Sequence, residues 1–201
     1  RGHHVLYRPA APRWRRVLEF FLMEFPCLLR KNYAYFWTSA VLFYVPLVGM
    51  IVLLHYYPEL IHSILPAEQI AEMEKMYDPA NKFDSLGRNS GSDLQMFGYY
   101  IWNNVSIGFR TFASGFFVGL GSIFVLLFNG ISIGAVAGHL TVIGSGEPFW
   151  RFVVGHSGPE LTAIVIAGAA GLRIGMAIVA PGRKKRVDAL VEAGTAGVKL
   201  A

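Results

Sequence analysis

Apolar runs punctuated by glycine, and separated by one polar connection, set the pattern of this 201-residue chain. The first run, Trp37 to Tyr57, carries Trp37 at one end and Tyr56 and Tyr57 at the other. As helix at ~1.5 Å per residue it covers about 30 Å, one hydrocarbon thickness. Aromatic ends of this kind sit at membrane–water borders. Pro46 and Gly49 predict a kink, which neighbouring helices can satisfy in lipid. The second region, Thr111 to Val179, is almost entirely apolar or small. Its pattern predicts a span over Thr111 to Phe128 and a break at Asn129-Gly130. A short apolar piece follows over Ile131 to Ile143, interrupted by Gly144, Ser145, Gly146 and Pro148. That piece reaches only about 20 Å as helix, too short to cross alone. The apolar pattern resumes over Phe149 to Val154, and Leu161 to Val179 forms the last span.

The flanking segments read differently. Trp14 to Lys31 places Val17, Leu18, Phe21, Leu22, Phe25, Leu28 and Leu29 at helical spacing among charges. This predicts an amphipathic helix in the cytoplasmic interface, or packed on the membrane domain's own face, bent or broken at Pro26. Pro58 to Met96 is polar. After Pro66, AEQIAEMEKMY predicts a short helix with an apolar stripe of Ile70, Met73, Met76 and Tyr77. That stripe is expected to dock on the membrane domain, with lipid or a partner as alternatives. Met96 to Arg110 reads as an interfacial helix. The fold class expected is therefore an all-α integral membrane protein with about four transmembrane helices. One of these is broken, and an N-terminal amphipathic interfacial helix precedes them. Residues 1–36 form the cytoplasmic lead-in and amphipathic helix, and 37–179 the membrane domain with loop 58–96. Residues 180–201 read as a basic cytoplasmic tail that begins a further helical pattern and is expected to continue.

Composition agrees with the pattern. The hydrophobic fraction of 54% exceeds the roughly 45–50% of soluble domains. The net charge of +5 does not point to nucleic acid, because the cations flank apolar runs instead of alternating with stacking aromatics. They crowd before Thr38 and in the run Arg183, Lys184, Lys185, Arg186, whereas loop 58–96 is rich in Asp and Glu. The distribution places the N-terminus and residue 183 in the cytoplasm and loop 58–96 outside. The lone Cys27 rules out an internal disulfide framework. No uninterrupted apolar core precedes a small-residue cleavage site in the first thirty residues, so no cleavable signal is expected.

Within the apolar region stand groups that lipid does not welcome: Asn104, Asn129, His139, His156, Glu160 and Arg173. His156 and Glu160, with His139 as a third group, could relay protons or hold Zn²⁺ with an open position. The competing reading is structural: Ser157-x-x-Glu160 before an apolar run is a capping box, with Pro159 in the first turn. Arg173 requires a carboxylate, backbone carbonyls or water, from another segment or by snorkelling toward Arg183. The asparagines suit hydrogen bonds between helices. Gly115, Gly119, Gly130, Gly134, Gly138, Gly171 and Gly175 often fall four apart, a spacing that lets helix backbones approach within or between protomers, and a homo-oligomer, a dimer, is expected.

YYIWNN (Tyr99 to Asn104), FNGISIGAVAGHLT (Phe128 to Thr141), FWRFVVGHSGPELTAIVIAGAAGLRIG (Phe149 to Gly175) and PGRKKR resemble the stage II sporulation protein M family. The likeness runs from about Val5 to the end of the chain. It implies a multi-span helical protein of the bacterial inner membrane. In spore formers the named member belongs to an engulfment complex with peptidoglycan-degrading partners. Relatives in other bacteria occur beside MoxR-type AAA ATPases and von Willebrand A-like proteins. The family carries no settled biochemical activity, so the reading leans away from an enzyme, and no cofactor is expected. Three functions follow as expectations: a membrane partner or scaffold of an envelope-associated complex; a transporter or channel using His139, His156, Glu160 and Arg173; and, last, an intramembrane metal-dependent enzyme using His156 and Glu160.

Overall fold

A computed structural model describes the chain over residues 13–78, 90–155 and 157–200. The N-terminal stretch expected to be amphipathic is helical over the described residues but not uniform. Helix α1 (Arg13–Glu19) leads into a wider π turn over Phe20–Glu24, and α2 (Phe25–Lys31) follows. Pro26 has no N–H to donate, and the turn before it opens so that the Phe25 N–H donates to the Phe20 carbonyl. Helix α3 (Tyr33–Tyr56) starts four residues before the expected span and carries Pro46 inside it. A 3₁₀ turn at Pro58–Leu60, α4 (Ile61–Ile64) and α5 (Ala67–Met76) then form one end layer. Ile70 of α5 is buried with Leu54, Ile61, Leu65 and Ala135, so the α5 stripe docks on the protein's own helices.

Helix α6 (Ser90–Ala113) is longer than the interfacial piece expected from Met96 to Arg110. The next segment corrects the sequence reading. Neither a span over Thr111 to Phe128 nor a break at Asn129-Gly130 is present. Helix α7 (Leu120–Val142) runs unbroken through both residues, and the break lies earlier, in a 3₁₀ turn at Ser114–Phe116 followed by left-handed backbone. Val118 has φ 59° and Gly119 φ 81°, and such conformations end a right-handed helix. Asn129 leaves the helix intact by returning its amide to the Val125 carbonyl at 2.8 Å. Gly130 is small because the Phe43 carbonyl of α3 lies against it. The short Ile131–Ile143 piece is thus the second half of a full-length helix. The interruption expected at Gly144 is present, with φ 90°, ahead of α8 (Gly146–Val154). Helix α9 (Ser157–Val179) begins four residues before Leu161, and α10 (Arg186–Leu200) follows.

Close approaches fix the directions of these helices. Gly130, Gly134 and Gly138 meet Phe43, Leu47 and Ile51 in turn, so α7 runs parallel to α3. Gly168, Gly171 and Gly175 meet Leu126, Ser122 and Gly119, so α9 runs opposite to α7. Gly108 lies near Ala167 and Gly115 near Gly171, so α6 runs with α9. The core between them holds Ala40, Phe43, Leu126, Ile164 and Val165. Helix α10 folds back on α9, placing Glu192 beside Arg173 and Gly197 beside Ala170. Among the described residues, three helices are long and apolar enough to cross a membrane: Tyr33–Tyr56, Leu120–Val142 and Ser157–Val179. The protein is all-helical over these residues.

Candidate functional site

The polar groups of the bundle fall into two end sites joined by a packed middle. At the α5 end, His139 is buried on the last turn of α7 and its Nε2 lies 2.7 Å from Glu74 Oε1. Glu74 reaches it because α5 is held down by Ile70, Met73 and Tyr77, the last stacking edge-on against Phe149 at 5.3 Å. Trp150 of α8 donates to Thr141 Oγ1 at 3.0 Å and ties α8 to the same end. Glu160 sits in the first turn of α9, where a carboxylate complements the positive end of the helix dipole. Ser157 is the first residue of that helix. His156 lies outside the described residues.

The opposite end is organised by Arg173. Its guanidinium donates to Asn32 Oδ1 at 2.8 Å and comes within 3.8 Å of Glu192. Asn32, at the junction of α2 and α3, is 3% exposed and donates its own amide to the Leu28 carbonyl at 2.7 Å. Glu192 also pairs with Lys184, and Lys199 of α10 lies 3.3 Å from Glu24. The hydrogen bond from Lys184, and then its charge, hold the Glu192 carboxyl below its ordinary value of 4.5, with a smaller contribution from Arg173. One arginine thereby joins the α2–α3 junction to α9 and α10.

Between the ends, polar side chains are absorbed by backbone carbonyls. Ser39 Oγ donates across helices to the Val165 carbonyl at 2.7 Å, and Ser122 Oγ to Thr111 at 2.7 Å. Thr111 itself returns to Ile107 at 2.6 Å. Asn129 serves its own helix, and Asn104 is half-buried on α6. Of the six residues singled out by sequence, the five among the described residues are therefore not gathered in one place. Arg173 is thirteen residues from Glu160 on α9, about 20 Å along the axis, and lies at the other end from His139. Among the described residues, no three His, Cys, Asp or Glu side chains cluster closely enough to hold a metal ion.

The seven glycines do meet neighbouring segments of the same chain. A Cβ on Gly171 would strike Ser122 Oγ, and one on Gly175 the backbone nitrogen of Gly119. A Cβ on Gly115 would strike the Gly171 carbonyl, and one on Gly134 that of Leu47. Sequence reasoning missed Asn32, Glu74, Glu192, Ser39 and Ser122. Glu74 alone left a signal, since a docked α5 stripe must bring a neighbouring acid to the helix ends.

Comparison with protein families matches stage II sporulation protein M over residues 38–201. Comparisons with curated proteins and with solved structures returned no match. The match takes in most of the chain, every helix from α4 onward and the residues of both end sites except Asn32 and Glu24. This chain, with its apolar membrane helices, belongs to the stage II sporulation protein M family.

Proposed function

We propose that the protein is a membrane partner or scaffold of an envelope-associated complex in the bacterial inner membrane. It crosses the membrane four times, with α6 as the fourth crossing beside α3, α7 and α9. The alternation of helix direction supports this count, since α6 and α9 run opposite to α3 and α7. The charge distribution supports the orientation: the cations of residues 183–186 face the cytoplasm and the acids around α5 face outward.

The observation that carries the scaffold reading is the separation of His139–Glu74 from Arg173–Asn32–Glu192. Each polar set clamps an end layer onto the bundle, and the serines and threonines between them are bonded to carbonyls. A transport path would instead string polar groups through the middle. The layers so held present an acidic outer surface and a basic inner one. A MoxR-type AAA ATPase and von Willebrand A-like proteins are the proposed partners, the ATPase on the inner surface.

Two measurements test this. In a Cys27→Ser background, His62→Cys should react with an impermeant maleimide from outside and Lys184→Cys only after permeabilisation. A MoxR-type AAA ATPase should purify with the protein, and reversing Lys184, Lys185 and Arg186 to Glu should abolish that. Ion or solute flux in proteoliposomes, lost in a folded Arg173→Gln variant, would replace the scaffold with a transporter.

A further inference from the structure

Residues 14–22 present a stripe of large apolar side chains that nothing among the described residues covers. Trp14, Val17, Leu18, Phe21 and Leu22 are 62, 53, 48, 60 and 73% exposed. The same periodic pattern continues as Phe25, Leu28 and Leu29, yet these are half-buried against Ile166, Ala170 and Leu200. A continuous α-helix would carry both halves on one face. The π turn at Phe20–Glu24 adds residues to one turn and so rotates the two halves relative to each other. The rear half grips α9 and α10, and Lys199 to Glu24 reinforces that grip at 3.3 Å. The front half is left facing outward.

We propose that this front half is a lateral anchor that lies in the cytoplasmic leaflet and takes anionic lipid headgroups. The inference rests on the membrane reading above. Two observations choose lipid over a second protein. First, the arm enters α3 through Asn32, and the residues that follow on α3's outer side are apolar and open: Tyr33, Trp37 and Val41 are 66, 63 and 57% exposed. The uncovered stripe therefore continues the lipid-facing surface of a spanning helix. Second, cations outnumber acids among the exposed charges within it: Arg15, which lies 6.0 Å from the Trp14 ring, and Arg16 stand against the single acid Glu19. Amphipathic helices with aromatic and leucine faces flanked by arginine lie in the interface of anionic bilayers. The Arg183–Arg186 run closes α9 near the same end of the bundle and adds to the same field.

The test uses the full chain with Cys27→Ser in nanodiscs of phosphatidylcholine, with and without phosphatidylglycerol. Spin labels are attached at Phe21→Cys on the arm and at Val45→Cys on α3's outer face. The expected result is that the label at 21 collides with oxygen and is shielded from a water-soluble nickel chelate, as at 45, and that phosphatidylglycerol strengthens this. Arg15→Gln and Arg16→Gln should each weaken the partition by about fivefold. A label at 21 equally open to nickel in both lipids overturns the proposal. So does shielding from both reagents with spin–spin broadening between copies, which would assign the face to a second copy. If the label at 45 meets nickel instead of oxygen, the membrane reading itself fails and the anchor falls with it.

Discussion

Arg173 of α9 donates to Asn32 at 2.8 Å across 141 residues of sequence. Asn32 is 3% exposed, so this contact is where the N-terminal arm, α3 and α9 are fastened together. Replacing Asn32 with Ala leaves a largely buried guanidinium short of an acceptor and should cost about 1.5–3 kcal/mol, the range for hydrogen bonds to charged groups. Thermal unfolding in detergent should show this, and Arg173→Lys alone should also destabilise, because lysine lacks the planar fork.

The His139–Glu74 contact makes a separate prediction at the other end. Glu74→Ala leaves a buried imidazole nitrogen unpaired, at a cost of about 1–3 kcal/mol. Its effect should be local: residues 66–77 become sensitive to limited proteolysis while α9 and α10 keep their protection. In a double-mutant cycle with His139→Ala the two changes should couple, and strict additivity would show that the contact contributes nothing.

Glycine substitutions should separate sharply by position. Gly175→Ala and Gly130→Ala drive a Cβ into backbone atoms of Gly119 and Phe43, which cannot swing aside as a side chain would. Each should cost about 1–3 kcal/mol or prevent folding. Gly49 has nothing within 4 Å of its would-be Cβ. Gly49→Ala should be neutral or stabilising by up to about 1 kcal/mol. Equal yields of folded protein from all three would overturn the packing account.

The α9–α10 contact should respond to acid. Glu192 is held below 4.5 in the folded protein by Lys184, so its contribution is present above that value and fades as pH falls through the depressed one. Hydrogen exchange of α10, taken relative to the intrinsic amide rate at each pH, should accelerate below about pH 4.5 in the native protein. In Glu192→Gln it should be faster at neutral pH and respond less to acid.

The apolar runs, their lengths and the glycine spacing were enough to read a helical membrane protein from sequence, because lipid demands closed backbone bonding over a fixed thickness. The docking of α5 was also legible, since Ile70, Met73 and Tyr77 share one helical face. The position of the helix break was not. Asn-Gly is a turn signal in water, but at Asn129-Gly130 the amide bonds its own helix and the glycine admits the Phe43 carbonyl, so tertiary approach outweighed local propensity. The true break depends on left-handed backbone at Val118 and Gly119, and nothing in valine's chemistry announces it. The candidate polar residues were visible one by one, because charge and amide groups stand out in an apolar run. Their grouping was decided only in three dimensions. Helix direction and the return of α10 set Arg173 beside Asn32 and Glu192 and left His139 to Glu74, partners that sequence distance hides.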